Sequence, residues 1–293
     1  MVLRPYELSY ERIDRVAKAF NDVGIDGVLR IEVHVDPQYR YLKRLAEIAG
    51  VEAGVVYALL NAVVSYRLAM KGEDWWECFS SAISSKIRVR GKPSSVKEVV
   101  EDVIWFLNTC PGASVRRDAK IKRIRTIYRH ARRLLEKLFE DPELVVRDPD
   151  YVIEKLARAL QVESWRKTIV FSVKMAYYAF GGPEKGLYMK STIPIPVDIR
   201  VSCVSYSSGV VKARSPEEVL RYPRTAQEAW GIVSRISGVP PLHLDSVIWV
   251  VGGVIRGKEL LEARKSIVDL FTNVLELGDI VMLAEELAWR ECP

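Results

Sequence analysis

Amide side chains are scarce here: four Asn and three Gln in 293 residues, beside abundant Glu, Lys and Arg. Asn and Gln are thermolabile, so the bias suits the protein of a thermophile. Cysteine is also rare. Cys78, Cys110, Cys203 and Cys292 lie far apart and form no Cys-x-x-Cys, which excludes a zinc ribbon or an iron–sulfur loop. They read as four reduced thiols packed as small hydrophobes. No run of 18 apolar residues occurs, so no membrane span or membrane partner is expected. The stretch from Met1 to Tyr10 is charged and has no apolar h-region; no export signal is read, and the expected location is the cytoplasm, at the nucleoid. Repeats, low-complexity tracts and linkers long enough to separate independent domains are absent as well.

What is present is ordinary globular composition, 49% hydrophobic and 28% charged. The net charge of +6 is compatible with an anionic partner but too mild to prove one. The hydrophobic pattern is helical nearly throughout. Asp36-Pro37 reads as an N-cap with proline at the first helical position. A second helix is expected over 55–70, stopping near Gly72, and Ser95-Val96-Lys97-Glu98 is a capping box ahead of another. Asp150 to Leu160 and Lys167 to Phe180 are two helices joined by a short polar connector. The stretch 186–196 is extended, because Pro194 and Pro196 forbid a helix there. Asp198 caps the next helix. A later helix carries Asp245 and Trp249 and is expected to break at Gly252-Gly253, with a final helical stretch from Lys258 to about Arg290. Helices alone must pack on helices, so the class is all-α.

The longest periodic segment, Asp118 to Glu140, places Ile121, Ile124, Ile127, Leu134, Leu135 and Leu138 on one face. From Arg116 to Lys137 it carries ten basic residues against two acids, among them Arg123, Arg125, Arg129, Arg132 and Arg133. Such a run is either a solvated helix face or a patch that tracks phosphates.

Lys167 and Asp198 stand 31 residues apart, each at the start of a helix. A lysine held in an apolar wall has its charged form disfavoured; the free amine can attack an electrophilic sugar carbon and leave as a Schiff base. A carboxylate at a helix N-terminus would stay ionised and stabilise a developing positive charge. The bland alternative is a snorkelling lysine and an ordinary capping aspartate.

The pair of helices with Lys167 at the head of the second, followed by Pro196-Val197-Asp198-x-x-Val201, resembles the helix–hairpin–helix glycosylase superfamily with its Gly/Pro-Asp loop. Two departures stand out. The usual Leu-Pro-Gly-x-Gly hairpin is replaced by 160–166, Leu-Gln-Val-Glu-Ser-Trp-Arg, without glycine, and the Lys-to-Asp gap is longer than the superfamily's. Both fit one branch, the archaeal GO glycosylases (AGOG), which the chain resembles over roughly Asp36 to Trp249. The segments carrying the likeness are Asp36-Pro37-Gln38-Tyr39, Gly72-Glu73-Asp74-Trp75-Trp76, 167–174, 193–198 and 241–249. The stretch from about Val115 to Asp148 is longer than that family requires.

The resemblance implies a two-lobed helical glycosylase over 1–293, its middle lobe roughly 80–200, its other lobe built from the N- and C-terminal segments, and its active site in the cleft between them. It implies an 8-oxoguanine DNA glycosylase and AP lyase of base excision repair, working as a monomer without metal or organic cofactor. The implied partner is double-stranded DNA containing 8-oxoguanine, with single-stranded DNA left open. Lys167 would be the nucleophile at C1′ and Asp198 would assist departure of the base. Phe171 and Trp249 would sandwich the flipped base; a core aromatic is the alternative for Trp249. Lys174, seven residues after Lys167, and Asp245, four before Trp249, share their helix faces and point toward the same pocket. Gln38 would accept the N7–H that oxidation creates, unless it is a solvent-facing residue in a first helical turn. Of Trp75 and Trp76, one would offer its indole N–H, and Trp76 is chosen. Competing readings are a superfamily glycosylase for another damaged or mismatched base, a non-catalytic helical DNA-binding protein, and a small-molecule Schiff-base lyase.

Overall fold

The computed structural model describes residues 6–293, so the charged N-terminal stretch read for an export signal begins outside the described residues. Among those residues the only extended pairing is a single antiparallel bridge, Leu8 to Val211, and the chain is all-α as expected. It separates into two compact units. One is continuous, Pro37–Tyr188; the other joins the residues up to Asp36 with Met189–Pro293. The continuous unit thus starts and stops earlier than the 80–200 read from the sequence.

In the continuous unit, α3 (Val51–Val64) is the centre, with every residue from Ala53 to Val64 buried. A helix apolar on all sides needs neighbours on all sides. α2 (Pro37–Ala49) approaches closely at Gly54, where a Cβ would lie 2.8 Å from that of Ala46. α10 (Lys167–Phe180) runs against α3 and is itself buried from Ile169 to Ala179. The helix expected over 55–70 spans 51–64 instead; Arg67 follows with a φ of 46°, which no helix continues.

α4 (Gly72–Arg90) and α5 (Val96–Thr109) are tied to α3 by Asp102, a fully buried carboxylate. Asp102 accepts two hydrogen bonds from Arg90, at 2.9 and 2.7 Å, another from the Tyr57 hydroxyl, and lies 2.9 Å from Lys86 Nζ. The box at Ser95 forms: its Oγ accepts from the Glu98 N–H, while Glu98 takes the Ser94 N–H at 2.7 Å.

The long periodic segment is two helices, α6 (Arg117–His130) and α7 (Arg132–Glu140), bent at Ala131. The bend lets the isoleucines of α6 pack on α5 while Leu134, Leu135 and Leu138 reach α3. After α8 (Leu144–Arg147), α9 (Pro149–Leu160) is capped by Asp148, two residues before the Asp150 start read from the sequence.

The second unit is built on α1 (Tyr10–His34), kinked at Gly24, with α11 (Ile199–Ser207), α12 (Pro216–Arg221), α13 (Pro223–Ser237), α14 (Pro241–Ile255), α15 (Leu260–Phe271) and α16 (Leu277–Leu287). α14 does not break at Gly252-Gly253. A Cβ at Gly252 would fall 2.6 Å from the Arg200 carbonyl oxygen, so this glycine serves close approach between α14 and the first turn of α11. The final stretch divides into α15 and α16.

One cysteine expectation is overturned: Cys203 and Cys292 form a disulfide, joining α11 to the C-terminal tail. Spacing in sequence could not show that two cysteines 89 residues apart meet. Cys78 and Cys110 remain thiols, 3.4 Å apart. No single helix among the described residues is long and apolar enough to cross a membrane.

Candidate active site

The hairpin ahead of Lys167 forms without glycine because Gln161 adopts the left-handed conformation, φ 53° and ψ 46°. The Val162 N–H then bonds back to Ala157 at 3.0 Å, closing the helix in the manner that glycine usually permits. Arg166 is extended, and Lys167 is the first residue of α10.

Lys167 is half-buried, so the fully apolar wall expected around it is only partly there. Its Nζ lies 5.5 Å from the centroid of Phe171, one helical turn on. Phe171 is buried and meets Trp76 edge-on, centroids 6.1 Å apart. Trp75 turns the other way, onto Phe106 at 5.0 Å, which decides which of the two tryptophans stands beside the lysine's helix. Lys174 is 1% exposed in an otherwise apolar stretch, its Nζ 5.3 Å from the Tyr178 ring. That ring packs edge-on against Tyr39 at 5.3 Å, and the adjacent Gln38 is 2% exposed rather than facing solvent. Gln38, Trp76, Lys167, Phe171 and Lys174 therefore belong to one unit, on α2, which packs against both α4 and α10, and on those two helices, which meet through the Trp76 and Phe171 rings.

The other unit carries Asp198, Asp245 and Trp249. Asp198 caps α11: its Oδ1 accepts from the N–H groups of Arg200, at 2.9 Å, and Val201, at 3.1 Å. Capping fixes the carboxylate against the helix start, where the backbone dipoles favour its negative charge. Behind it the extended proline segment is pinned by Gln227, whose Nε2 donates to the Ile195 carbonyl at 3.0 Å. Trp249, 7% exposed, packs into the core of this unit, and the Arg200 guanidinium covers its ring at 4.1 Å. Asp245, one turn earlier, is 2% exposed.

Three polar residues missed in the sequence hold that helix. Glu32 of α1 is buried, and its Oε1 takes the Ser246 hydroxyl at 2.7 Å and lies 3.0 Å from His243 Nδ1. The Met189 N–H donates to His243 Nε2 at 3.0 Å, so Nε2 is the acceptor and Nδ1 carries the proton toward Glu32. A buried glutamate paired with a buried histidine is a pattern that only three-dimensional neighbours reveal. Arg123 is a second surprise. It leaves the basic face, lies 5.8 Å from the Tyr66 ring and donates to Thr168 Oγ1 at 2.8 Å, one residue from Lys167. Burial pushes its pKa below the ordinary arginine value. Lys120 is also inward, donating to the Val115 carbonyl at 2.7 Å. Among the described residues no group of three or more His, Cys, Asp or Glu is placed to hold a metal ion.

An amine at the head of a buried helix beside paired aromatics, with a proline-led capping aspartate elsewhere in an all-helical chain, is the set of groups that Schiff-base chemistry in a DNA glycosylase of the helix–hairpin–helix kind would use. The comparisons with known proteins agree. The AGOG family profile, N-glycosylase/DNA lyase, matches residues 17–281. The N-glycosylase/DNA lyase of Aeropyrum pernix is 42% identical over 284 residues, 97% of each chain. That of Pyrobaculum aerophilum is 33% identical over 89% of this chain and 94% of its own. The crystal structure of the P. aerophilum 8-oxoguanine DNA glycosylase Pa-AGOG, in complex with 8-oxoguanosine, superposes with a TM-score of 0.72, at 27% identity over 95% of this chain and 97% of that one. The chain belongs to the AGOG family and is a DNA N-glycosylase with AP lyase activity. Family membership sets aside the non-catalytic and small-molecule readings.

Proposed function

We propose that this enzyme removes 8-oxoguanine from double-stranded DNA and then cleaves the strand, with Lys167 as nucleophile and Asp198 as its carboxylate partner. The observation that carries the reading is the placement of Lys167 over Phe171, itself edge-on to Trp76, on a helix that also buries Lys174. Extruding a base from the duplex costs a few kcal/mol, which stacking against aromatic faces offsets. Phe171 and Trp249 are assigned to the faces of the flipped base. Trp76, Lys174 and Asp245 are assigned to its edges, and Gln38 to the N7–H that distinguishes 8-oxoguanine from guanine. A site built around that bond leaves a buried polar group unpaired when guanine enters, so discrimination is strong.

The chemistry needs no outside oxidant or reductant. The neutral Lys167 amine forms a bond to C1′ as the C1′–N9 bond breaks, and the base leaves with a proton. Asp198 stabilises the positive charge that develops on the sugar. The nitrogen lone pair then forms the iminium between Nζ and C1′ as the C1′–O4′ bond breaks, and O4′ takes up a proton from solvent. Loss of a C2′ proton then expels the 3′ phosphate by β-elimination, and water releases the lysine. The protein acts as a monomer in this scheme.

The test uses duplexes that each carry one defined lesion, with borohydride present to trap the iminium. The 8-oxoguanine duplex should be both cleaved and trapped, and Lys167→Gln should abolish both. Trapping by Lys167→Gln would sink the nucleophile assignment; efficient removal of another base with 8-oxoguanine left intact would sink the substrate.

A further inference from the structure

The basic run on α6 and α7 is only partly used by the fold. Lys120 and Arg123 turn inward, which leaves Lys122, Arg125, Arg129, Arg132 and Arg133 exposed. Spacings of three and four put Lys122, Arg125 and Arg129 on one face of α6, and Arg132 and Arg133 open α7 just past the bend. Arg132 pairs with Glu136 at 2.7 Å, while Lys122, Arg125, Arg129 and Arg133 have no acidic partner among the described residues. Arg125, Tyr128, Arg129 and Arg132 together line a shallow open recess. The Tyr128 ring lies 5.6 Å from the Arg132 guanidinium. Three arginines and a tyrosine gathered on one open surface suit an anion with several oxygens, and arginine binds such groups through paired N–H donors.

The position of the stripe narrows the ligand. Arg123, two residues before Arg125, grips Thr168 beside Lys167. Two residues in a helix is a rotation of about 200°, so the stripe lies on the face of α6 opposite the one that holds the head of α10. Within α6 it runs about 10 Å from Lys122 to Arg129, the axial rise of about three phosphates on one strand, and Arg132 and Arg133 extend it past the bend.

We propose that this stripe is a second DNA contact, binding backbone phosphates of the duplex away from the damaged nucleotide and independently of sequence. The inference rests on the reading that the enzyme acts on duplex DNA. Phosphate contacts of this kind position a protein on the duplex and add affinity, while the pocket residues supply selectivity.

The test measures binding to duplexes containing a tetrahydrofuran abasic analogue, which β-elimination cannot cleave. One duplex ends within half a turn of the lesion; the other extends two turns on each side. For the parent enzyme, the long duplex should bind more tightly and with a steeper salt dependence. Arg125→Gln/Arg129→Gln/Arg133→Gln should lose most of that gain, lowering the slope of log affinity against log salt by about 2–3 on the long duplex only. Arg125→Lys/Arg129→Lys/Arg133→Lys keeps the charges and should keep the slope, which separates lost contacts from lost folding. An unchanged slope in the Gln variant overturns the proposal, as does equal loss in the Lys variant. Excision of 8-oxoguanine by the parent is assayed separately, so failure of the substrate assignment and failure of the stripe give different results.

Discussion

Reduction of Cys203–Cys292, or Cys292→Ser, should lower stability by an amount that follows from chain length. The bond closes a loop of 89 residues. In the chain-entropy treatment such a cross-link stabilises by about 4–5 kcal/mol at 25 °C, because it restricts the unfolded chain. The native side changes little when the bond is removed. The tail is also held by the Gly257 N–H to the Cys292 carbonyl at 2.8 Å, the Arg290 N–H to Ser207 at 3.0 Å and Arg290 Nε to Tyr206 at 2.8 Å. For a chain of this size the corresponding fall in unfolding temperature is roughly 10 °C. The assay counts alkylated thiols by intact mass in denaturant, with and without reductant, and then compares thermal unfolding of parent and variant. Denaturant is required for the count. Burial, then the hydrogen bond to Cys110, pushes the Cys78 thiol up to about 12, and the native protein would label it slowly whatever the state of the other pair. Two thiols should label without reductant and four with it. Four without reductant, or equal unfolding temperatures for parent and Cys292→Ser, would refute the reasoning.

Two further perturbations probe the scaffold. Gly252→Ala places a methyl 2.6 Å from the Arg200 carbonyl, a backbone atom that yields only if the first turn of α11 moves. Overpacking of this kind costs about 1–3 kcal/mol, and displacement of the Asp198 cap should slow single-turnover excision on the order of 10–100-fold; an unchanged rate would show that the cap tolerates the shift. Asp102→Asn removes a buried charge that serves Arg90, Lys86 and Tyr57. Because the side chains of Arg90 and Lys86 are 35% and 27% exposed, water recovers part of the loss, and about 3 kcal/mol is expected in urea unfolding. A midpoint equal to the parent's would contradict the role given to Asp102.

Elements with strong local signals were legible. The capping box at Ser95, the proline-led Asp198 cap and the span of α10 depend on neighbours within a few residues, and the structure has them where the pattern puts them. The misreadings have tertiary causes. Gly252 looks like a helix breaker until Arg200 is seen against it, and Asp118 to Glu140 looks like one helix until the bend at Ala131 is seen to bring both of its parts onto α3 and α5. The hairpin at 160–166 was legible from its flanking helices, but not how it closes without glycine: Gln161 takes the left-handed position where glycine is the usual signal. At the candidate site, helical spacing could place Lys174 with Lys167 and Asp245 with Trp249, but not choose between Trp75 and Trp76, since adjacent residues point about 100° apart and only packing on Phe106 or Phe171 separates them.

The two helices that carry most of these residues share a peculiarity. α10 and α14 are apolar on nearly every side, buried over almost their whole length, and interrupted by few polar groups. Taking an ionisable side chain out of water costs several kcal/mol unless partners compensate it. Lys174 and Asp245 are two such ionisable side chains, 1% and 2% exposed. α14 is held to α1 by Glu32, which His243 and Ser246 reach from either side of Asp245 in the sequence. α10 is fixed at its head by Arg123 on Thr168. Rigid support around a polar group in an apolar setting is what preorganised recognition requires. If the proposed site holds, Lys174→Met and Asp245→Leu should cost discrimination between 8-oxoguanine and guanine, while loss of the exposed arginines should not. Equal discrimination by parent and both variants would refute that division of labour.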